Sequence, residues 1–398
     1  MYYSQFAYLK AVIYTVINCL GMHRKKISAT TTAAIILITA IVNVIATTPS
    51  ALSQTTDSTN SQGGNLAKKT LKIGYFPNIN HAQAVIGLGN GTFQKALGNN
   101  IEVKTFIFNA GPSAMEALFA KQVDVTYVGP NPAINAYVVS QGKDVRIISG
   151  ASSGGAVFVV RNDSGIQSSK DFANKKFASP QLGNTQDVAL RKYLLNNGYK
   201  TKENGGNVEV IPAKNPDILT LMLKKEIDGA WVPEPWGARL VKEANAKIFL
   251  DERDLWPPKG EFVTGHIVAR TDYLQNNPDI IKKLLAAHVD ETQWINTHKE
   301  QAIKAFNVEL AKITGQAIPE DQLRDSLSRL ELTYDPIKLS LFQSANSAFD
   351  IGFLGKTRPN LTGIYDLKLL DQVLSEKRLP VIEEEGAGQE QTGVDSVL

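Results

Sequence analysis

Three segments of the sequence place small and polar residues at the point where an apolar strand pattern gives way to a helical one. In the second of them we expect Asn131 to be the N-cap and Pro132 the first helical residue, where the fixed φ of proline suits helix entry. In the third, Gly183 allows close approach of the backbone to a bound group, and Asn184 or Thr185 supplies the cap. Unpaired N–H groups and the helix dipole at such starts favour sulfonate, phosphate, nitrate or carboxylate. The segments are NAGPSAMEAL (109–118), YVGPNPAINAY (127–137) and SPQLGNTQDVAL (179–190).

The alternative interpretation is that these are well-capped helices without a ligand. For GPSAME it is the preferred one, because Ser113 and Glu116 have the spacing of a capping box. The other two junctions end strands in different halves of the chain. We therefore expect an anion to be held between two helix starts, one from each half.

Two further segments are candidates for the same site. Small residues at 152–155 lie where the chain passes between its two halves, and we expect a hinge that also offers hydroxyl and N–H groups, or else a plain linker. In DGAWVPEPWGARL (228–240), Glu234 either bonds a ligand, holds His266, or favours the dipole of the following helix. Trp236 packs between the halves or lines an apolar part of the cleft.

Several classes of chemistry are excluded. GASSG (150–154) has the spacing of a nucleophile elbow, but a strand follows it where that motif needs a helix. The one cysteine, Cys19, precedes any folded domain, and the histidines lack zinc-site spacing, so we expect no metal, no cofactor and no catalytic residue. Net charge is +3, but four basic residues precede residue 47, and the remainder has 38 basic and 39 acidic residues. Nucleic acid is therefore not an expected partner.

The elements that position these residues follow an α/β order. From residue 71, strand and helix patterns alternate up to VRIISGA, and a second α/β set begins at AVFVVRN and ends with a helix over WGARLVKEANA. HIVAR (266–270) is a further strand, after which we expect only helices up to about residue 377. The pattern predicts two lobes, with the second inserted into the first: residues 70–155 and 265–378 form lobe 1, and residues 156–264 form lobe 2. The ligand cleft lies between them.

The termini differ from this body. A basic segment (22–26) precedes an apolar run to Ala46, which predicts an export signal or an uncleaved anchor formed by residues 27–46. Residues 47–69 have the composition of a disordered Ser/Thr-rich tether, and residues 379–398 that of a disordered acidic tail. Whether translation starts at Met1 or Met22 stays open.

Motifs along the body resemble one family. LKIGYFPNINHAQ (71–83), VGPNPA (128–133), GASSGGA (150–156), GAWVPEPWGARL (229–240) and FVTGHIVAR (262–270) are similar to segments of substrate-binding proteins of ABC importers for aliphatic sulfonates, taurine, nitrate and bicarbonate. The combination is most similar to aliphatic sulfonate-binding members. The resemblance covers about residues 70 to 375.

The resemblance implies a type II periplasmic-binding-protein fold, with two α/β lobes and a hinged cleft. It also implies which residues form the pocket. Those of the first lobe and first crossing are Asn78, Asn80, His81, Gln83, Gly129, Pro130, Asn131, Ser152, Ser153, Gly154 and Gly155. Those of the second lobe and the return crossing are Gly183, Asn184, Thr185, Glu234, Trp236, Thr264 and His266. None is an arginine, so the negative charge of the ligand would be balanced by helix dipoles. His266 would contribute as well if its surroundings raise the pKa of its ring.

The function that the resemblance implies is a non-enzymatic, extracytoplasmic receptor. It captures a small oxyanion, with an alkanesulfonate favoured over nitrate, taurine or bicarbonate, and delivers it as a monomer to ABC permease subunits. The location is the periplasm or the outer face of the cytoplasmic membrane. Two alternatives of other classes stay open: an enzyme similar to thiamine pyrimidine synthases, and a membrane-tethered ligand sensor.

Overall fold

The computed structural model describes residues 68–382. The predicted export signal or anchor lies outside this range, as do most of the predicted tether and of the acidic tail. Leu379 and Ile382, at the start of that tail, pack against the core. Within the range, no helix has the length and apolar character needed to cross a membrane.

The first sheet has six strands in the order β11-β4-β10-β3-β1-β2. β1 pairs in parallel with β2 and β3, whereas β10 runs antiparallel to both β3 and β4, and β11 antiparallel to β4. Every residue of β3 is buried, as expected for a strand covered on both faces. The strands are β1 Lys69–Tyr75, β2 Ile101–Ile107, β3 Val125–Val128, β4 Val145–Gly154, β10 Val263–Arg270 and β11 Leu330–Leu332.

The second sheet has five strands in the order β7-β6-β8-β5-β9. β6 pairs in parallel with β7 and β8, and β5 runs antiparallel to β8 and β9. Aromatic side chains fill one of its faces, with Phe158 stacked on the fully buried Trp231 at a centroid distance of 5.3 Å. The strands are β5 Ala156–Arg161, β6 Lys176–Pro180, β7 Glu209–Ala213, β8 Gly229–Pro233 and β9 Ala246–Asp251.

Helices connect the strands and cover both sheets. Those up to the end of β9 are α1 Ala82–Gly89, α2 Thr92–Leu97, α3 Gly111–Phe119, α4 Pro130–Val139, α5 Thr185–Asn196, α6 Asn215–Leu223 and α7 Trp236–Glu243. Those after β10 are α8 Thr271–Asn276, α9 Pro278–Thr297, α10 Lys299–Thr314, α11 Glu320–Ser328, α12 Lys338–Asp350 and α13 Lys368–Glu376. Short 3-10 turns occur at Ile79–His81, Ser169–Asp171, Lys202–Asn204 and Glu252–Leu255.

The chain crosses between the sheets twice. It leaves β4 of the first sheet and enters β5 of the second at Gly155, and it returns between the end of β9 and the start of β10. The strand-helix succession therefore forms two separate sheets in one α/β fold, as the sequence predicts.

Two strands depart from the prediction. The sequence pattern assigned no strand after HIVAR, but β11 follows at residues 330–332. Only three residues long, it pairs with β4 at Ser152, Ser153 and Gly154 and lacks an alternating pattern of useful length. β9 was also missed, because the helix predicted over WGARLVKEANA extended to Ala246, which is the first residue of β9.

Candidate functional site

A small polar cavity lies where the carboxyl ends of strands from both sheets face each other. Its solvent-accessible volume is about 20 Å³, on the scale of one or two water molecules. It is lined by Phe76, Asn78, Asn80, His81, Asn109, Gly129, Asn184, Thr185, Gln186, Asn215, Pro233 and Thr264. Four helix starts meet here: α3 and α4 follow strands of the first sheet, and α5 and α6 follow strands of the second.

Direct contacts join the helix starts of the two sheets. The Gly111 N–H, at the start of α3, donates to Asn184 Oδ1 at the start of α5 over 3.2 Å. Ser113 Oγ donates to Gln181 Oε1 over 3.0 Å. At Gly129 a β-carbon would lie 2.3 Å from Thr185 Oγ1, so the backbone before α4 touches the first residue of α5.

The start of α5 is the main source of unpaired donors. Asn184 is its N-cap, but its side chain accepts no capping bond, and within residues 68–382 the backbone N–H groups of Thr185 and Gln186 have no acceptor. Asp187, in the first turn, would repel an anion if it were alone. Its carboxylate is instead paired with Arg191 at 3.0 Å and accepts from Ser179 Oγ and the Gly183 N–H. The start of α5 therefore retains the free N–H groups of Thr185 and Gln186 at the cavity, as an anion site requires.

His81 is a neutral donor in the wall of the cavity. Its Nδ1 accepts the Phe76 N–H over 3.0 Å, which leaves the ring proton on Nε2. Burial lowers the pKa of His81 to about 3, so the ring is uncharged at neutral pH. It is the one titratable side chain among the lining residues, and proton transfer there at neutral pH is therefore disfavoured.

The structure brings together seven of the predicted site residues in this lining: Asn78, Asn80, His81, Gly129, Asn184, Thr185 and Thr264. The prediction missed five others: Phe76, Asn109, Gln186, Asn215 and Pro233. A signal existed for Asn215, because KNPD follows VEVIPA and repeats the strand-to-helix pattern of the other junctions. Asn109 and Gln186 belong to junction segments that had been singled out, but other residues of those segments were preferred.

The first crossing does not line the cavity. Ser152 Oγ and Thr264 Oγ1 lie 3.1 Å apart, and Ser153 Oγ accepts the Phe262 N–H. The Gly154 N–H donates to Phe262 O and the Gly155 N–H to Arg329 O. These four residues thus use their polar groups to hold the crossing strands together.

Glu234 is buried outside the cavity lining, and its carboxylate bonds to neighbouring groups of the protein. Its Oε2 accepts the Ala238 N–H in the first turn of α7 and the Ser326 hydroxyl, each over 3.0 Å, and Arg329 Nη1 lies 3.2 Å from Oε1. Of the three predicted roles, stabilisation of the helix start fits these contacts. Within residues 68–382, no hydrogen bond or ion pair joins Glu234 to His266. Trp236 also lies outside the lining and donates from Nε1 to Asn78 Oδ1 over 3.1 Å.

The suggestion that His266 carries the positive charge of the site is wrong. Its Nε2 lies 3.1 Å from Pro336 O, and burial lowers the pKa of His266 to about 4. It is therefore neutral and directed at a backbone carbonyl outside the cavity. The other predicted residues outside the lining are Gln83, Pro130, Asn131 and Gly183.

Two of the predicted caps are also wrong. α4 begins at Pro130 with Gly129 as its N-cap, and Asn131 Nδ2 instead donates to Ser344 O of α12. The predicted capping box of α3 does not form: Ala110 is its N-cap, and Ser113 turns towards Gln181. In both cases a tertiary partner far along the chain takes the side chain that local spacing assigns to a cap.

A larger groove, which we call the outer groove, lies beside the cavity. Its volume is about 450 Å³, and its lining includes Met115, Phe119, Val139, Leu182 and Phe353. Because this lining is largely apolar, the groove offers little to an oxyanion. The smaller cavity is lined by residues that carry three buried, unpaired side-chain oxygens, those of Asn80, Thr185 and Asn215, and we take it as the candidate site. Within residues 68–382, no cluster of His, Cys, Asp and Glu side chains could hold a metal ion.

Comparison with known proteins finds relatives named as binding proteins. Binding proteins of Brucella abortus are 24% identical over 223 residues, which cover 55% of this chain and 66% of theirs, just under two thirds. The taurine-binding periplasmic protein of Escherichia coli is 24% identical over 239 residues, 60% of this chain and 70% of its own.

Two solved structures show the same fold. One is the alkanesulfonate-binding protein SsuA of Xanthomonas axonopodis bound to MOPS, with a TM-score of 0.63, 16% identity, and coverage of 75% of this chain and 98% of that one. The other is the periplasmic nitrate-binding protein NrtA of Synechocystis, with a TM-score of 0.66, 15% identity, and coverage of 78% and 90%.

The two sheets, the double crossing and the likeness to these structures define the fold as that of a periplasmic solute-binding protein. The model of the NMT1-like family matches residues 64–311, well over half of the chain. The chain belongs to the NMT1-like family.

Proposed function

We propose that this protein is an extracytoplasmic solute-binding protein that captures a small oxyanion, an aliphatic sulfonate, and delivers it to an ABC permease. The observation that carries this proposal is the start of α5, where the N–H groups of Thr185 and Gln186 have no acceptor among the described residues and line the same cavity as the neutral donor His81. These groups suit a sulfonate, which is ionised at all physiological pH values and offers only acceptor oxygens. The relatives named for taurine and alkanesulfonate binding support the same ligand class.

The cavity is on the scale of one or two water molecules, so the proposal requires motion of two lobes for an alkanesulfonate to enter. Lobe 1 comprises residues 70–155 and 265–378, and lobe 2 comprises residues 156–264. The two chain crossings are the natural hinges. The contacts of Gly111 with Asn184 and of Ser113 with Gln181 would form as the lobes close. A closed form of this kind would be the one that the permease receives.

Nitrate, taurine and bicarbonate are alternative ligands in the same role. A catalytic function is not proposed, because the one titratable group in the cavity lining has a pKa of about 3. The test is a thermal-shift panel of alkanesulfonates, taurine, nitrate, bicarbonate and carboxylates, since a ligand that binds only the folded state raises its apparent stability. Stabilisation by sulfonates supports the proposal, and stabilisation by none of the oxyanions would overturn it.

A further inference from the structure

The cavity wall contains buried acceptor atoms as well as donors. The amide oxygens Asn80 Oδ1 and Asn215 Oδ1, which only accept, and the Thr185 hydroxyl, which can donate or accept, are buried and have no hydrogen-bond partner within residues 68–382. The side chains that carry them are more than nine-tenths buried and line the cavity. Buried polar atoms in folded proteins are nearly always paired, so a molecule bound in the cavity is expected to supply partners for these three atoms.

The orientation of the Asn80 amide is fixed by its neighbours. Its Nδ2 donates to Gly154 O and to Thr264 Oγ1, each over 3.1 Å. Thr264 Oγ1 in turn donates to Gly154 O over 2.5 Å, so its own proton is already used. Reversal of the amide would set Asn80 Oδ1 against the Gly154 carbonyl, acceptor against acceptor. Oδ1 is therefore the atom of Asn80 that remains for a ligand, and it can only accept.

A bare oxyanion does not match this arrangement. Its oxygens would satisfy the N–H groups of Thr185 and Gln186, but they have nothing to donate to Asn80 Oδ1. Asn215, the first residue of α6, adds a second buried amide whose Oδ1 has no partner within residues 68–382. The cavity thus presents donors to one part of a ligand and acceptors to another.

We propose that the ligand is an oxyanion that also carries an N–H or O–H group, and that this group donates to Asn80 Oδ1. An amino- or hydroxy-substituted short alkanesulfonate has this chemistry. The inference rests on the proposed function and narrows its substrate class. It makes Asn80 a specificity-determining residue, distinct from the helix start that holds the anionic group.

The test is calorimetric titration of the full-length chain, purified in detergent, with three matched ligands: ethanesulfonate, 2-hydroxyethanesulfonate and taurine. All three share the sulfonate and the two-carbon chain and differ only in the terminal group. We expect the hydroxy compound, the amino compound or both to bind at least about tenfold more tightly than ethanesulfonate. Ethanesulfonate would leave the buried Asn80 Oδ1 unpaired, and a loss of this size is typical for an unpaired buried polar group. The two donor-bearing ligands separate a hydroxyl from an ammonium requirement. Equal or tighter binding of ethanesulfonate overturns the inference and leaves the proposed function intact, whereas binding of none of the three counts against the proposed function itself.

Variants locate the effect. Asn80→Ala should bring the affinity ratio of the preferred donor-bearing ligand to ethanesulfonate close to one, while ethanesulfonate binding changes less. Gln322→Ala is the matched control, because Gln322 is also a buried amide with an unpaired oxygen but lies outside the cavity. Its ratio should equal that of the wild type. An unchanged ratio in Asn80→Ala would overturn the role of Asn80. If that variant does not fold, the three wild-type titrations and Asn215→Ala, which should lower the ratio in part, still decide the question.

Discussion

Gly129 and Thr185 touch across the cavity between the two sheets. A β-carbon at Gly129 would stand 2.3 Å from Thr185 Oγ1, closer than any real contact of a β-carbon. Gly129 has an extended backbone with φ of −71°, so it is not glycine because of its dihedral angles. The absence of a side chain is what allows the helix starts α4 and α5 to meet.

Gly129→Ala should therefore weaken ligand binding without unfolding the protein. Overpacking a close contact costs about 1–3 kcal/mol, which corresponds to a loss of about fivefold to 150-fold in affinity. Calorimetric titration with taurine and ethanesulfonate measures it. The double variant with Thr185→Ala removes the clashing oxygen and should bind more tightly than Gly129→Ala alone. Wild-type affinity in the single variant would show that this contact is not needed for binding.

Asn184→Asp should abolish anion binding and preserve the fold. The new carboxylate can still accept the Gly111 N–H, and a negative charge at a helix N-cap favours the helix. Facing a bound anion, the same charge costs several kcal/mol, or about a hundredfold or more in affinity. Asn197→Asp, which puts equal charge at the exposed end of the same helix, is the control and should bind as the wild type does. Retained affinity in Asn184→Asp would remove the start of α5 from the site.

Ligand affinity should be almost independent of pH between about 5.5 and 8. Sulfonates stay ionised over this interval, and His81, with a pKa of about 3, stays neutral. Titrations at several pH values should agree within about twofold. If a protonated histidine held the anion, affinity would rise as pH falls through about 6.5, the ordinary pKa of histidine.

Folding stability, in contrast, should fall in mild acid. Burial lowers the pKa of His81 to about 3 and that of His266 and His288 to about 4, so below pH 6.5 the unfolded chain binds protons that the folded chain does not. Each such histidine lowers the free energy of unfolding by about 1.4 kcal/mol per pH unit between 6.5 and its folded pKa. Glu252 opposes part of this effect. Burial raises its pKa to about 7, so the folded chain binds a proton there before the unfolded chain does, and the free energy of unfolding rises as pH falls from about 7 towards 4.5.

Urea unfolding at pH 5 and pH 6.5 measures this slope. His266→Gln should reduce it by about 1.4 kcal/mol per pH unit, because one buried titrating group is removed. An equal slope in His266→Gln and wild type would contradict the account.

The sequence predicted the α/β order and the encounter of two helix starts, because strand and helix periodicity and turn chemistry are local signals. It could not predict which groups those starts leave free. Asn131 has the type and position of a cap, but its amide bonds Ser344, more than two hundred residues away. His266 lies beside the return crossing in the sequence, yet only the tertiary structure shows its ring buried against Pro336. Asn80 Oδ1 likewise becomes a specificity candidate only after the partners of its Nδ2 are known.

The most direct test of the central claim is a crystal structure of the complex with taurine. We predict that the sulfonate lies in the small cavity, with its oxygens within hydrogen-bond distance of the backbone N–H groups of Thr185 and Gln186. A sulfonate bound in the outer groove, or one in the cavity that makes no contact with the start of α5, would contradict the account.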